Sequence, residues 1–419
     1  MAQSLKDKIR EDLVSQHYDL LSKLQLNPQE LKDTINKMMD AIFSNPKNTF
    51  ADVDRAKLIK ELVDEFVGLG PIDVLMKDSG VTEVMINGPK RVYVERRGNK
   101  ELSDITFESE NQLMSLVQKM LMPTRRRVDE SSPYTDFCLK DGSRVNVIIY
   151  PVVMDGPVVT IRKFLKEIKT VEDLLSLETL DKRMADFLVA AIKAKLNIIM
   201  SGSTGSGKTT TLNVLASYIS SDERIVTIED TTELNLPQDH VIRLQAKQAN
   251  IDGKGEITIR NLFRNALRMR PKRIIIGEIR GAEAFDMLQA ICSGHGGSLA
   301  VIHAENPQDV IYRIETMIIT SGLPITLDVI SRHVAASVNI ILHQEQLLDG
   351  SRKITHITAV NGLKNGQVVL EDLFTYDIES SVPGQKVMGR WKATGVMPVF
   401  YPVFARTGVE LSKEIFNKD

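Results

Sequence analysis

Cysteine is nearly absent: the 419 residues hold two, Cys138 and Cys292. No C-x-x-C occurs, which excludes a disulfide scaffold and a tetracysteine zinc site and suits a reducing cytoplasm. Both thiols read as plain buried groups. Aromatic residues are scarce, at 5% with a single tryptophan, which leaves no stacking platform for single-stranded nucleic acid. Charge of one sign is missing too. With 53 Lys and Arg against 55 Asp and Glu, the formal net charge is −2, so no global field draws nucleic acid or anionic lipid. No apolar run approaches the ~20 residues that span a bilayer, and the opening MAQSLKDKIREDL lacks a signal-peptide core. Direct membrane insertion is therefore not expected, and any work at a membrane goes through partners. The remaining composition, 42% hydrophobic and 26% charged, is ordinary for a globular protein, and the length allows two or three domains.

Residues 1–66 read as three amphipathic helices. Leu5, Ile9 and Leu13, then Leu31, Ile35 and Met39, then Leu58, Leu62 and Phe66 recur every fourth position. No chemistry is visible there, so docking or packing is expected. Gly68, Gly70 and Pro71 break the pattern, and residues 67–165 turn to strands. Val81–Ile86 runs into Asn87-Gly88 and Arg91–Glu95 alternates beyond it. Ser143–Ile149 and Pro157–Arg162 form a second pair. A small mixed α/β domain is expected. Residues 166–180 read as a linker, with Thr170-x-x-Asp173 as a capping box opening a helix. From 181 to 376 helices alternate with continuous apolar strands, the mark of a sheet covered on both faces. Residues 377–419 read as a small appended element.

Gly202-Ser203-Thr204-Gly205-Ser206-Gly207-Lys208-Thr209 satisfies G-x-x-x-x-G-K-[ST] in full. It follows an apolar strand, Leu196–Met200, and leads into a helix beginning near Thr210. The glycines let backbone N–H groups close around phosphate oxygens, and the helix N-terminus adds its positive dipole end. Lys208 would reach the β- and γ-phosphates, and the Thr209 hydroxyl would ligate Mg²⁺. A nucleoside triphosphate is the expected ligand.

Phosphoryl transfer also needs a metal holder and a group that orients the attacking water. Candidate acids stand at strand ends. Glu229-Asp230-Thr231-Thr232-Glu233 follows one apolar strand, and Gly277-Glu278-Ile279-Arg280 ends another. Carboxylates outside the carboxyl ends of parallel strands sit where open α/β sheets bind ligands. Glu233 and Glu278 are the expected catalytic acids.

The order of these residues resembles a known family. Thr-Ile-Glu-Asp-x-x-Glu, Arg-x-x-Leu-Arg-Met-Arg-Pro-x-Arg-Ile-Ile-Ile-Gly-Glu-Ile-Arg-Gly, Gly294-His295-Gly296-Gly297-Ser298 and Ile302-His303-Ala304 follow the glycine loop in turn. The chain looks like a type II/type IV secretion ATPase, and within that superfamily it resembles the CpaF/TadA-type motors of tight-adherence (type IVc) pili. The resemblance implies a RecA-like P-loop ATPase domain preceded by a PAS-like mixed α/β domain, working as a homo-hexamer at an inner-membrane platform protein. It further implies that Glu233 acts on the attacking water and that Glu278 sits near the metal and the γ-phosphate. His295 and His303 would sense that phosphate or stabilise an interface, and Arg144 and Arg162 would clamp phosphates. ATP and Mg²⁺ are the implied cofactors. Thr209 and Glu278 would hold the metal, and Gly202 to Thr210 the nucleotide. Gln245-Ala246-Lys247 stands where the family usually carries Glu-Thr-Arg. A type IV secretion traffic ATPase shares all these motifs. A GTP switch is a weaker match: Asp252-Gly253-Lys254-Gly255 fits D-x-x-G, but no internal N-K-x-D follows.

Overall fold

The computed structural model describes residues 9, 12–13, 28–43, 54–56, 58–59, 62, 69–96, 98–124, 126–163, 168–247, 249, 254–382 and 385–419. The chain divides into two compact units, Met1–Phe164 and Leu165–Asp419.

In the first unit, helix α1 (Pro28–Phe43) buries Leu31, Ile35 and Met39 against Ile9, Leu13, Leu58, Ile59 and Leu62. The fourfold spacing places all three on one helix face. Leu5 and Phe66, and most of the outer two expected helices, lie outside the described residues. After α2 (Asp73–Lys77), strands β1 (Val81–Asn87), β2 (Val92–Arg96) and β3 (Asn99–Leu102) precede α3 (Glu110–Leu121). Strands β4 (Tyr134–Cys138), β5 (Arg144–Ile148) and β6 (Val158–Arg162) then complete a six-stranded antiparallel sheet in the order β3-β2-β1-β6-β5-β4. Val145, Val147, Val159 and Ile161 turn inward with Val84, Ile86, Val92 and Val94 onto Leu113, Val117 and Met120 of α3. The intervening residues face out, as the two-residue period of a strand requires.

The second unit opens on α4 (Val171–Ser176), started by the Thr170–Asp173 capping box. Val171, Leu174 and Leu180 are buried in this unit's core, so the described part of the expected linker is packed structure. Then come α5 (Lys182–Lys193), β7 (Ile198–Gly202), α6 (Lys208–Ala216), β8 (Ile225–Glu229), β9 (Val241–Gln245), α7 (Ile259–Ala266), β10 (Arg273–Ile276) and α8 (Glu283–Cys292). They are followed by β11 (Leu299–His303), α9 (Pro307–Thr320), α10 (Leu327–Ser337), β12 (Ile340–Gln346), β13 (Arg352–Lys364), β14 (Gln367–Ser380), β15 (Met388–Ala393) and α11 (Pro402–Arg406). The sheet order is β15-β14-β13-β12-β7-β11-β10-β8-β9, parallel from β12 to β9 and antiparallel from β12 to β15. Every residue of β7, β8 and β10 is buried. Ile198, Met200, Ile275 and Val301 enter one core layer, while Ile199, Ile274, Ile276 and Ile302 enter the other. Both faces are covered, which explains the continuous apolar runs.

The expectation of a small appended tail is corrected. β15 pairs with β14, and Phe400, Phe404 and Phe416 lie in the main core. The Phe416 and Phe404 rings stand 5.6 and 6.2 Å from that of Phe187 on α5. Burying each such ring is worth roughly 2–3 kcal/mol, so the tail's aromatics fold back onto the sheet. The cysteines are corrected too: Cys138 is only half-buried and Cys292 is exposed.

Candidate active site

The strand order puts the ends of β7, β8, β10, β11 and β12 along one carboxyl edge, and the candidate residues gather there. Gly202 closes β7 with φ +147°, where a Cβ would lie 2.0 Å from the carbonyl oxygen of Gln344. Gly207, at φ +94°, is the left-handed residue before the first turn of α6. The loop between them therefore wraps the helix N-terminus. Lys208 is buried at the first position of α6 and donates to the carbonyls of Gly202 at 3.0 Å and Ser203 at 2.6 Å. Thr209 and Thr210, half-buried, follow on the same turn.

Lys208 Nζ also lies 3.5 Å from His303 Nδ1 at the end of β11. An ammonium can only donate, so Nδ1 accepts, and the ring proton sits on Nε2, 3.3 Å from Glu278 Oε1. Burial and the neighbouring Lys208 hold the His303 pKa below its ordinary range, keeping the ring neutral. Arg280 donates to the other oxygen of Glu278 at 2.7 Å and lies 3.7 Å from Asp230. Burial pushes the Glu278 carboxyl up, but Arg280, His303 and Lys208 together hold it below the usual range. The result is a chain Lys208–His303–Glu278–Arg280–Asp230 across three strand ends.

Glu233 is half-buried, and its backbone N–H is held by Glu229 Oε1 at 2.8 Å. Glu229 also accepts from Leu234 N–H at 2.9 Å, while its Oε2 has no hydrogen-bond partner. Burial raises its pKa to about 7. Reading acids by their place after a strand selects Glu233 and passes over Glu229, because nothing local announces that the carboxyl at the strand's last position turns inward.

Other candidates lie elsewhere. His295 precedes β11 and lies 3.3 Å from the Ala290 carbonyl, at the amino edge of the sheet. β11 alone spans on the order of 16 Å, so His295 is not brought beside His303. Arg144 and Arg162 belong to the first unit, where they stand opposite each other in the β5–β6 register, and Arg162 Nε lies 3.8 Å from Glu83. Asp252 and Gly253 of the D-x-x-G match lie outside the described residues. Gln245, first of the three atypical residues, accepts from Thr232 Oγ1 at 3.2 Å.

A polyphosphate fits this edge. The glycines add no side chains of their own to the loop, a helix N-terminus and Lys208 stand at it, and the Thr209 hydroxyl and Glu278 carboxylate are hard oxygen donors of the kind Mg²⁺ takes. The model of the type II/IV secretion system protein family matches residues 65–366. The chain belongs to this family. A Mycobacterium tuberculosis protein provisionally named a conjugal transfer protein is 32% identical over 308 residues, covering 72% of this chain and 87% of that one. The type IV secretion system protein VirB11 of Brucella suis is 30% identical over 303 residues, covering 66% of this chain and 84% of its own length. The crystal structure of the Brucella suis VirB11 ATPase in complex with sulphate aligns with a TM-score of 0.38 at 28% identity, over 69% of this chain and 95% of that one. The matched segment takes in the carboxyl edge from Gly202 to Gln344. No described helix is long and apolar enough to cross a membrane.

Proposed function

We propose that this chain is an ATP hydrolase whose work drives a pilus or secretion machine. The observation that carries the reading is the junction of Lys208, His303 and Glu278 beneath the glycine loop, in a chain that belongs to the secretion family. Lys208 and the loop N–H groups bind the β- and γ-phosphates. Thr209 and Glu278 hold Mg²⁺, which supplies charge neutralisation at the phosphates when bound. Glu233, fixed through its backbone by Glu229, orients and deprotonates the attacking water. His303 couples Lys208 to Glu278, so that a change at the γ-phosphate is felt at the carboxylate. Arg144 and Arg162 supply further positive charge to the phosphates, and His295 serves a subunit contact. These roles rest on the sequence resemblance.

The same resemblance supports a homo-hexameric ring of the CpaF/TadA type, in the cytoplasm and peripheral to the inner membrane. There it would act on a platform protein that inserts or extracts pilin of a type IVc pilus. A type IV secretion traffic ATPase is the second reading, favoured by the names of the conjugal-transfer and VirB11 relatives. The test of the shared core is Mg²⁺-dependent ATP turnover per subunit across protein concentrations, with Lys208→Ala as baseline. A rate that climbs steeply and plateaus, and falls by about 10³-fold or more in the variant, supports a site completed by assembly. A concentration-independent rate from a species that sizes as a monomer would overturn the ring.

A further inference from the structure

We infer that the bulged β12–β13 hairpin is a working part of the glycine loop, and that Gln344 and Arg352 are positioning residues for binding a nucleoside polyphosphate there; the inference rests on the nucleotide reading above. β12 runs parallel beside β7, and its pairing with β13 slips between His343 and Gln344. The residue the slip leaves over is Thr355 on β13, and beyond it Arg352 stands opposite Gln346. On β12, Gln344 continues the face of Ile340 and Leu342, as the two-residue period of a strand requires, and it is 2% exposed. A Cβ on Gly207 would meet its Nε2 at 3.0 Å, and its Oε1 is buried with no hydrogen-bond partner. Buried amides are rarely left so.

Arg352 reaches the loop from β13. Its Nε–H donates to the Gly205 carbonyl at 3.0 Å, across 147 residues of chain. Its Cδ would lie 3.3 Å from a Cβ on Gly207. The peptide plane ties this contact to ligand binding. The group whose carbonyl Arg352 holds also carries the Ser206 N–H, and in a planar trans peptide the two point in opposite directions. Fixing the carbonyl therefore aims the N–H. That N–H meets the Ser203 carbonyl only at 3.4 Å, a long bond easily exchanged for one to a phosphate oxygen. Gln346, on the same hairpin, would come within 3.3 Å of a Cβ on Gly205. The loop's glycines are thus packed by side chains from a hairpin that ordinary reading of the loop motif never includes.

The experiment is titration of the full chain with Mg²⁺ and a fluorescent N-methylanthraniloyl ADP, for wild type, Arg352→Ala and Arg352→Lys, beside thermal melting of each without nucleotide. Loss of a charge-assisted hydrogen bond weakens binding by roughly tenfold in Arg352→Ala, through faster release, with the nucleotide-free melting temperature unmoved. Arg352→Lys keeps stem and charge but not the guanidinium geometry, and it recovers part of the loss, to within about threefold of wild type. Binding by Arg352→Ala within about twofold of wild type would overturn the inference. So would a loss matched by a lower melting temperature in both variants, which marks a structural residue. If Arg352→Ala does not fold, Arg352→Lys decides alone: weaker binding at an unchanged melting temperature supports the inference, and wild-type affinity overturns it. A wild-type chain that fails to bind the probe sinks the nucleotide reading itself, a result distinct from equal binding by all three.

Discussion

The two edges of the parallel strands in the second unit carry buried polar clusters of similar composition, completed differently. At the amino edge Arg273, 1% exposed, donates to both Glu223 oxygens at 3.0 and 3.1 Å and to the Gly297 and Ile192 carbonyls at 3.2 and 2.7 Å. Lys195 adds a third donor to Glu223 at 2.7 Å. Beside it, the Asn197 amide joins the Ser337 carbonyl to the N–H groups of Gly297 and Ser298. These groups satisfy one another, and the cluster ties β7, β8, β10 and β11 together. At the carboxyl edge Glu229 Oε2 and Gln344 Oε1 are buried without partners, and the half-buried Glu278 is held by Arg280 and His303. A completed buried cluster holds strands in place. An incomplete one leaves acceptor oxygens open to a further partner.

The comparison breaks most directly at Arg273. Arg273→Met leaves Glu223 buried with one partner and costs about 3–5 kcal/mol. Chemical denaturation should show that loss, while ATP turnover per folded molecule stays at the wild-type level. If turnover fell in proportion, the two edges would be energetically one site.

Glu229→Gln sharpens the contrast through pH. Burial raises the folded pKa of Glu229 to about 7, against 4.5 for an ordinary glutamate. Below the ordinary value both states carry the proton. Between the two values the folded state holds a proton that the unfolded state has released, so wild-type stability falls as pH rises and then levels off. The total is on the order of 3 kcal/mol. Gln keeps an oxygen for the Glu233 and Leu234 N–H groups and cannot ionise. Its stability relative to wild type therefore rises between pH 5 and pH 8, and a flat difference across that range would show that Glu229 is not protonated in the fold.

Asn197→Ala gives the smallest of these effects, about 1–3 kcal/mol, from the two N–H groups left buried without an acceptor. It too should spare nucleotide binding, as measured by the same titration.

What could be read from the sequence divides along similar lines. The place of the glycine loop, Lys208 and Thr209 between β7 and α6 was legible because the motif is written in eight consecutive residues. The position of Glu278 at the carboxyl edge was legible because an acid stands just beyond an apolar strand. Both faces of the sheet, and the packing of Leu31, Ile35 and Met39, followed from periodicity. Glu229 was not legible, since its inward turn depends on Gly277, where a Cβ would press to 2.8 Å from its Cγ. Arg273 hid at the head of an apolar strand and drew attention only as part of a family pattern. Gln344 and Arg352 meet the loop from more than a hundred residues away, Arg352 beyond a register slip that no local pattern encodes. The tail aromatics and the exposed Cys292 were misread for the same reason: burial is decided by what arrives from elsewhere in the chain.

The central claim is that the carboxyl edge binds nucleotide and the amino edge only holds the sheet. The most direct measurement is the thermal shift on adding Mg²⁺ and a slowly hydrolysed ATP analogue to wild type, Lys208→Ala and Arg273→Met. At about a hundredfold excess over the dissociation constant, wild type gains roughly 2.7 kcal/mol. Arg273→Met, though less stable at the start, should gain the same increment, and Lys208→Ala should gain almost none. An increment kept by Lys208→Ala and lost by Arg273→Met would contradict the account.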